Sequence, residues 1–177
     1  MKSIYSRGMS RFFIAKLILV AMMFAMGGMT SAQSRMETLR VEGLVKKNLV
    51  LSFDNLDKME VVSIRIPADS GQHDTYSGVS LTQILALAGV PSGEELRGAN
   101  LTKYLLIEAS DGYKVMFSLA EIDSLFKDEQ VILANRKNGS FLPEREGPFR
   151  VIVGGEKRKA RYIRNVTSLR IGDVESR

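Results

Sequence analysis

The chain has no cysteine and a single histidine among its 177 residues. The first absence excludes disulfide frameworks, cysteine-ligated zinc or iron–sulfur sites, thiol nucleophiles and a lipidated N-terminal cysteine. The second leaves His73 as the sole imidazole, too few for a histidine-built metal site. There is no phosphate loop, dinucleotide fingerprint, zinc-protease helix motif or nucleophile elbow. There is no long hydrophobic run either. The longest stretch, Leu17 to Met29, has 13 residues, short of the roughly 20 that a spanning helix needs.

That run has another use. Lys2, Arg7, Arg11 and Lys16 precede it without an acidic residue, and Thr30-Ser31-Ala32 follows it with small side chains. This order reads as a bacterial secretory signal over residues 1–32, leaving Gln33 as the new N-terminus. The expected product is periplasmic or secreted and does not span the membrane. No adjacent arginine pair precedes the run, so the signal fits export of an unfolded chain.

The signal also explains the basic charge. The whole chain is +5, with 25 Lys and Arg against 20 Asp and Glu. The first 32 residues hold four of the basic residues and none of the acidic ones. The remaining 145 residues therefore carry 21 against 20, a net +1. A nucleic-acid partner is not expected from so small an excess. Six of the nine methionines also fall in this segment, which removes a methionine-rich copper site.

Residues 33–177 read as one domain. Thr38 to Val45 predicts a strand broken at Gly43, and Asn48 to Phe53 a second apolar run. Ser52 or Asp54 is placed to cap a brief helix. Val62, Ile64 and Ile66 alternate, and Pro67 ends that strand. Ala68 to Thr75 reads as a polar, flexible loop. Ser80 to Ala88 predicts a helix with Leu81, Ile84, Leu85 and Ala88 on one face and Gly89 at its end. Asp111-Gly112 and Asn138-Gly139 are hairpin signals. Ser118 caps a second helix with Leu119, Ile122, Leu125 and Phe126 on one face. Phe149 to Val153 and Tyr162 to Ile171 are the last strands. Roughly eight short strands with two or three short helices predict an α+β fold, mixed and mostly β.

The ordered set of segments LRVEGLV (39–45), LSFDNL (51–56), YSGVSLTQILALAGV (76–90), ASDGYKVMFSLAEID (109–123) and VILANRKNGSFLPEREGPFRVIVGGEKRKARYIRNVTSLRI (131–171) resembles the molybdopterin-binding domain of the sulfite-oxidase type, in a small stand-alone form. The resemblance implies a molybdenum atom held by a pterin dithiolene and one cysteine thiolate between the third strand and Tyr76. Here that stretch reads IPADSGQHDT (66–75) and offers no thiolate. His73 and Asp74 are the candidate active-site residues left in it. The resemblance also implies a pterin-phosphate site near a basic C-terminal loop. Its candidates here are Lys157, Arg158, Arg161 and Arg164, with Gly154-Gly155 allowing close backbone approach.

Other acids and tyrosines take structural readings. Glu144 and Glu146 are expected to face solvent around a Gly147-Pro148 turn, and Tyr76 and Tyr113 either present hydroxyls in a cleft or, the blander reading, are half-buried strand residues. The expected function is a non-catalytic binding module for an anionic small ligand, a pterin-like cofactor or an envelope protein partner, with no metal. The alternative is a molybdopterin-dependent oxidoreductase that lacks a cysteine ligand. A structural envelope protein without a ligand is the third reading.

Overall fold

Leu39 and Val41 alternate with polar neighbours and are fully buried, as a strand with one face on a core requires. In the computed structural model, which describes residues 38–68 and 70–174, they begin β1 (Leu39–Gly43). The secretory segment read over residues 1–32 lies outside the described residues. No helix among the described residues is long and apolar enough to cross a membrane.

Among the described residues ten strands form two sheets. The first places β2 (Leu49–Leu51), β1, β10 (Val166–Asp173), β5 (Lys103–Ala109) and β6 (Lys114–Ser118) side by side. The pair β1–β10 is parallel, and its neighbours are antiparallel. The second sheet runs β3 (Val62–Pro67), β4 (His73–Ser80), β7 (Val131–Lys137), β8 (Ser140–Phe141), with β9 (Arg150–Val153) also on β7. One continuous apolar core takes residues from both sheets. The mostly β, α+β expectation holds, with ten strands where eight were expected.

Local chemistry sets the connections. Ser80 accepts from the Gln83 N–H and opens α2 (Leu81–Leu87), which follows the short α1 (Phe53–Leu56). Asn138 and Gly139 both take positive φ, 51° and 83°, the requirement of a two-residue hairpin with the sheet's twist. Gly78 lies where β4 shifts register against β7, and a Cβ there would stand 2.0 Å from the Leu133 carbonyl oxygen.

Two local expectations are corrected. The polar stretch 68–75 is not all loop. His73 and Asp74 pair with Pro67 and Ile66, so β4 starts at His73 despite its polarity, because β3 supplies the backbone partners. The helix after Ser118, α3 (Leu119–Ile122), stops after one turn. Asp123 leaves helical geometry, and its carboxylate accepts from the N–H groups of Gly93 and Leu125 at 2.7 and 2.9 Å. Leu125 and Phe126 are consequently exposed rather than packed.

Candidate functional site

A cleft of about 540 Å³ opens where β4, the β5–β6 turn, the start of β9 and residues 159–165 converge. Tyr76 reaches it from the buried face of β4, and Arg150 from the first position of β9. Glu146 reaches it from the turn before the cis Gly147–Pro148 bond. Ile66, the inward residue near the end of β3, contributes apolar surface.

Tyr76, Glu146 and Arg150 form a buried polar trio. Arg150 Nη1 donates to the Tyr76 hydroxyl at 3.0 Å and pairs closely with Glu146. The Tyr76 hydroxyl lies 3.4 Å from the same Glu146 oxygen. Glu146 is 7% exposed, so the expectation of a solvent-facing acid is overturned. A carboxylate that deep needs a countercharge, and Arg150 supplies it. Burial pushes the Tyr76 hydroxyl up, against the lowering effect of Arg150. The ring is fully buried, not half-buried as read from the sequence.

Asp74 lies at the edge of the cleft. It accepts from Lys137 at 2.9 Å and from Asn138 at 3.0 Å. The Lys137 hydrogen bond, with help from Asn138, holds its carboxyl below the usual range, and Asp74 in turn raises Lys137. His73, its neighbour, is exposed and does not border the cleft.

The basic loop divides. Arg164 borders the cleft and is exposed. Lys159 and Ala160 also border it. Lys157 and Arg158 are exposed on the approach and do not. Arg161 turns away from it. Its guanidinium lies 3.0 Å from Glu121 and 2.7 Å from Glu156, and it covers the Phe117 ring at 4.5 Å. Burial opposes its charge, but these two carboxylates outweigh burial and raise it. Gly154 packs against the chain rather than a ligand. Its N–H donates to the Gln130 carbonyl at 2.8 Å, and a Cβ would meet that oxygen at 3.1 Å.

Arg150, Tyr162 and Asn165 are cleft residues to which sequence reasoning assigned no site role, and Glu146 is one that it placed in solvent. A charged residue opening the apolar strand RVIV was the available signal for Arg150. Two buried atoms of this set, Arg150 Nε and Asn165 Oδ1, have no partner among the described residues. Folded proteins seldom leave such atoms unpaired. In all, four cations and three carboxylates border the cleft: Arg145, Arg150, Lys159 and Arg164 against Asp74, Asp111 and Glu146.

This donor set does not fit a molybdenum centre. The metal's protein ligand should be a soft thiolate, and the chain has none. Ile66 holds an apolar side chain in the stretch where that ligand was expected. Among the described residues no group of His, Cys, Asp or Glu is placed to hold a metal. The same residues do fit an anionic group, because guanidinium and ammonium donors border an open volume.

The sequence model of the oxidoreductase molybdopterin binding domain matches residues 27–177. A comparison with curated proteins gave no match. Among solved structures, the fold is similar to the crystal structure of the sulfane dehydrogenase SoxCD from Paracoccus pantotrophus, with a TM-score of 0.60 and 24% identity. That similarity covers 79% of this chain and 39% of the other, so the present chain spans well under half of that protein. The match over residues 27–177 takes in every described strand and the whole cleft, and the chain belongs to the oxidoreductase molybdopterin binding domain family.

Proposed function

We propose that the chain is a non-catalytic member of its family, acting outside the cytoplasm as a binding module for a small anionic ligand. The observation that carries this reading is the pairing of a family cleft with a complete absence of cysteine. The open space beside Arg164 supports an anion in that cleft. A ligand that binds only the native state raises its apparent stability. Thermal melts with phosphate, pyrophosphate and a reduced pterin should therefore show a rise with at least one of them. Elemental analysis of the protein from a cofactor-producing host should show no molybdenum, and stoichiometric metal overturns the reading. N-terminal sequencing of the exported protein should begin at Gln33.

Family membership favours one second reading, a molybdopterin-dependent oxidoreductase without a protein thiolate. When bound, the cofactor would supply the redox chemistry, and Arg164 would hold its phosphate. Molybdenum in the wild type, lost together with the pterin in Arg164→Ala, would favour this alternative. A protein partner seated on the cleft would appear as co-purification that excess pyrophosphate disrupts.

A further inference from the structure

Residues 154–161 connect β9 to the approach of β10 as a loop with a closed base. The Tyr162 hydroxyl donates to the Val153 carbonyl at 2.8 Å and pins the two ends together. The Gly154 N–H donates to the Gln130 carbonyl at 2.8 Å. Val153, Tyr162 and Ile163 are buried around this base. Joined ends under an exposed tip are the build of a compact surface loop, a type that often carries function.

The tip is held differently. Residues 157–160 are exposed. Among the described residues, 155–158 and 160–161 make no backbone–backbone hydrogen bond to either sheet. Two side-chain latches reach the tip from elsewhere in the chain. The Tyr113 hydroxyl donates to the Ala160 carbonyl at 2.9 Å, and Arg161 Nη1 donates to Glu121 at 3.0 Å. Lys159 adds a longer-range attraction, since its charge helps to lower Asp74 on β4. Tyr113 is 50% exposed and the Glu121 side chain 42%. Contacts as wet as these are weak singly. A segment with few buried contacts and few backbone bonds opens well before the rest of the molecule unfolds.

The tip is also a wall of the cleft, which Lys159 and Ala160 border. At the other end of the loop Gly155 takes φ 66° directly after the anchored Gly154, a natural pivot.

We propose that residues 155–161 are a flap on the cleft, pivoting at Gly154-Gly155 and held closed by Tyr113 and Glu121. Release of the two latches moves that wall and gives access to the cleft. The role as a gate rests on the binding reading above, but its test needs no ligand. The flap carries four trypsin sites, Lys157, Arg158, Lys159 and Arg161. Cutting of a segment that opens and closes quickly tracks the fraction open. Trypsin digestion of the folded protein, read by mass spectrometry, should therefore cut first within 157–161. Tyr113→Phe should speed that cut about fivefold, the worth of one hydrogen bond. Glu121→Gln, which keeps an acceptor for the α3 cap, should speed it about threefold. Met116→Ser, an exposed change on β6 that touches neither latch, should leave it unchanged. Melts of all three within a few degrees of wild type show that the effect is local. Unchanged cutting in both latch variants, or first cuts outside 157–161, overturns the flap and leaves the anion reading standing. Latch-dependent cutting without a thermal shift from phosphate, pyrophosphate or pterin keeps the flap and defeats the anion reading.

Discussion

Arg161 Nη1 donates to Glu121 Oε1 at 3.0 Å, across 40 residues of chain. Glu121 also accepts from the Ser118 N–H at 2.9 Å, closing the capping box of α3. One carboxylate therefore fastens a helix start and the basic loop together. Removing the guanidinium breaks two ion pairs and uncovers the Phe117 ring. Arg161→Ala should cost about 1–2 kcal/mol in urea unfolding, after allowing for solvent screening of the half-exposed Glu121. Because Arg161 points away from the cleft, phosphate affinity should fall far less in Arg161→Ala than in Arg164→Gln.

The same contacts set an acid limit. Burial raises the Glu121 carboxyl, but the Ser118 N–H and Arg161 more than offset that, and its net shift is downward. Asp74 is lowered by Lys137 and Asn138. A carboxyl lowered in the folded state adds stability above its unfolded value and loses it as pH falls through the folded one. Unfolding free energy should hold steady near neutrality and decline below about pH 5. In the double variant Glu121→Gln, Asp74→Asn the decline should be shallower. An unchanged slope would place the acid sensitivity elsewhere.

Much of the fold was legible because local signals and tertiary partners agreed. Ser80, Asn138-Gly139 and the alternation of Val62, Ile64 and Ile66 each act over a few residues, and each is where it was expected. The polar start of β4 was hidden because its strand character comes from β3, not from its own side chains. The cleft was harder to read. Glu146 and Arg150 are four residues apart, a spacing that in a charged loop normally means solvent. Their burial depends on Tyr76, 70 residues earlier in the chain. Arg161 and Arg164 look alike in sequence, and the positions of Glu121 and Glu156 separate them.

The Glu146–Arg150 pair should respond asymmetrically to mutation. Both side chains are nearly buried, 10% and 14% exposed. Glu146→Ala strands the guanidinium without a countercharge, and a loss of roughly 3–5 kcal/mol is expected. Tyr76→Phe removes one neutral partner and should cost about 1 kcal/mol. The double replacement Glu146→Leu, Arg150→Met should recover most of the single-variant loss, since no charge is left unpaired. Denaturant titrations of Glu146→Leu, Arg150→Met and the double replacement measure the coupling directly, and additive losses would argue against a paired unit.

Gly78 tests the sheet that carries Tyr76. An added Cβ would fall 2.0 Å from the Leu133 carbonyl oxygen and 2.5 Å from the Ala134 Cα, both backbone atoms. Neither can rotate away. Gly78→Ala should therefore cost more than about 2 kcal/mol, above the usual price of a helix or strand alanine swap. Because β4 carries both Asp74 and Tyr76, amide exchange should accelerate in β4 and β7 before it does in β1 and β10.

Leu125 and Phe126 look like core residues in the sequence and are 66% and 51% exposed in the fold. Replacing both with serine should change stability by no more than about 0.5 kcal/mol, because little apolar area returns to water. Asp123 is the opposite case. It is 3% exposed and accepts from two backbone N–H groups on different segments. Asp123→Ala leaves both donors without that acceptor and should cost about 1–3 kcal/mol. Thermal melts of the two variants side by side decide the matter. A large loss on changing Leu125 and Phe126, with none on changing Asp123, would mean that the helix continues past Ile122 and buries its apolar face after all.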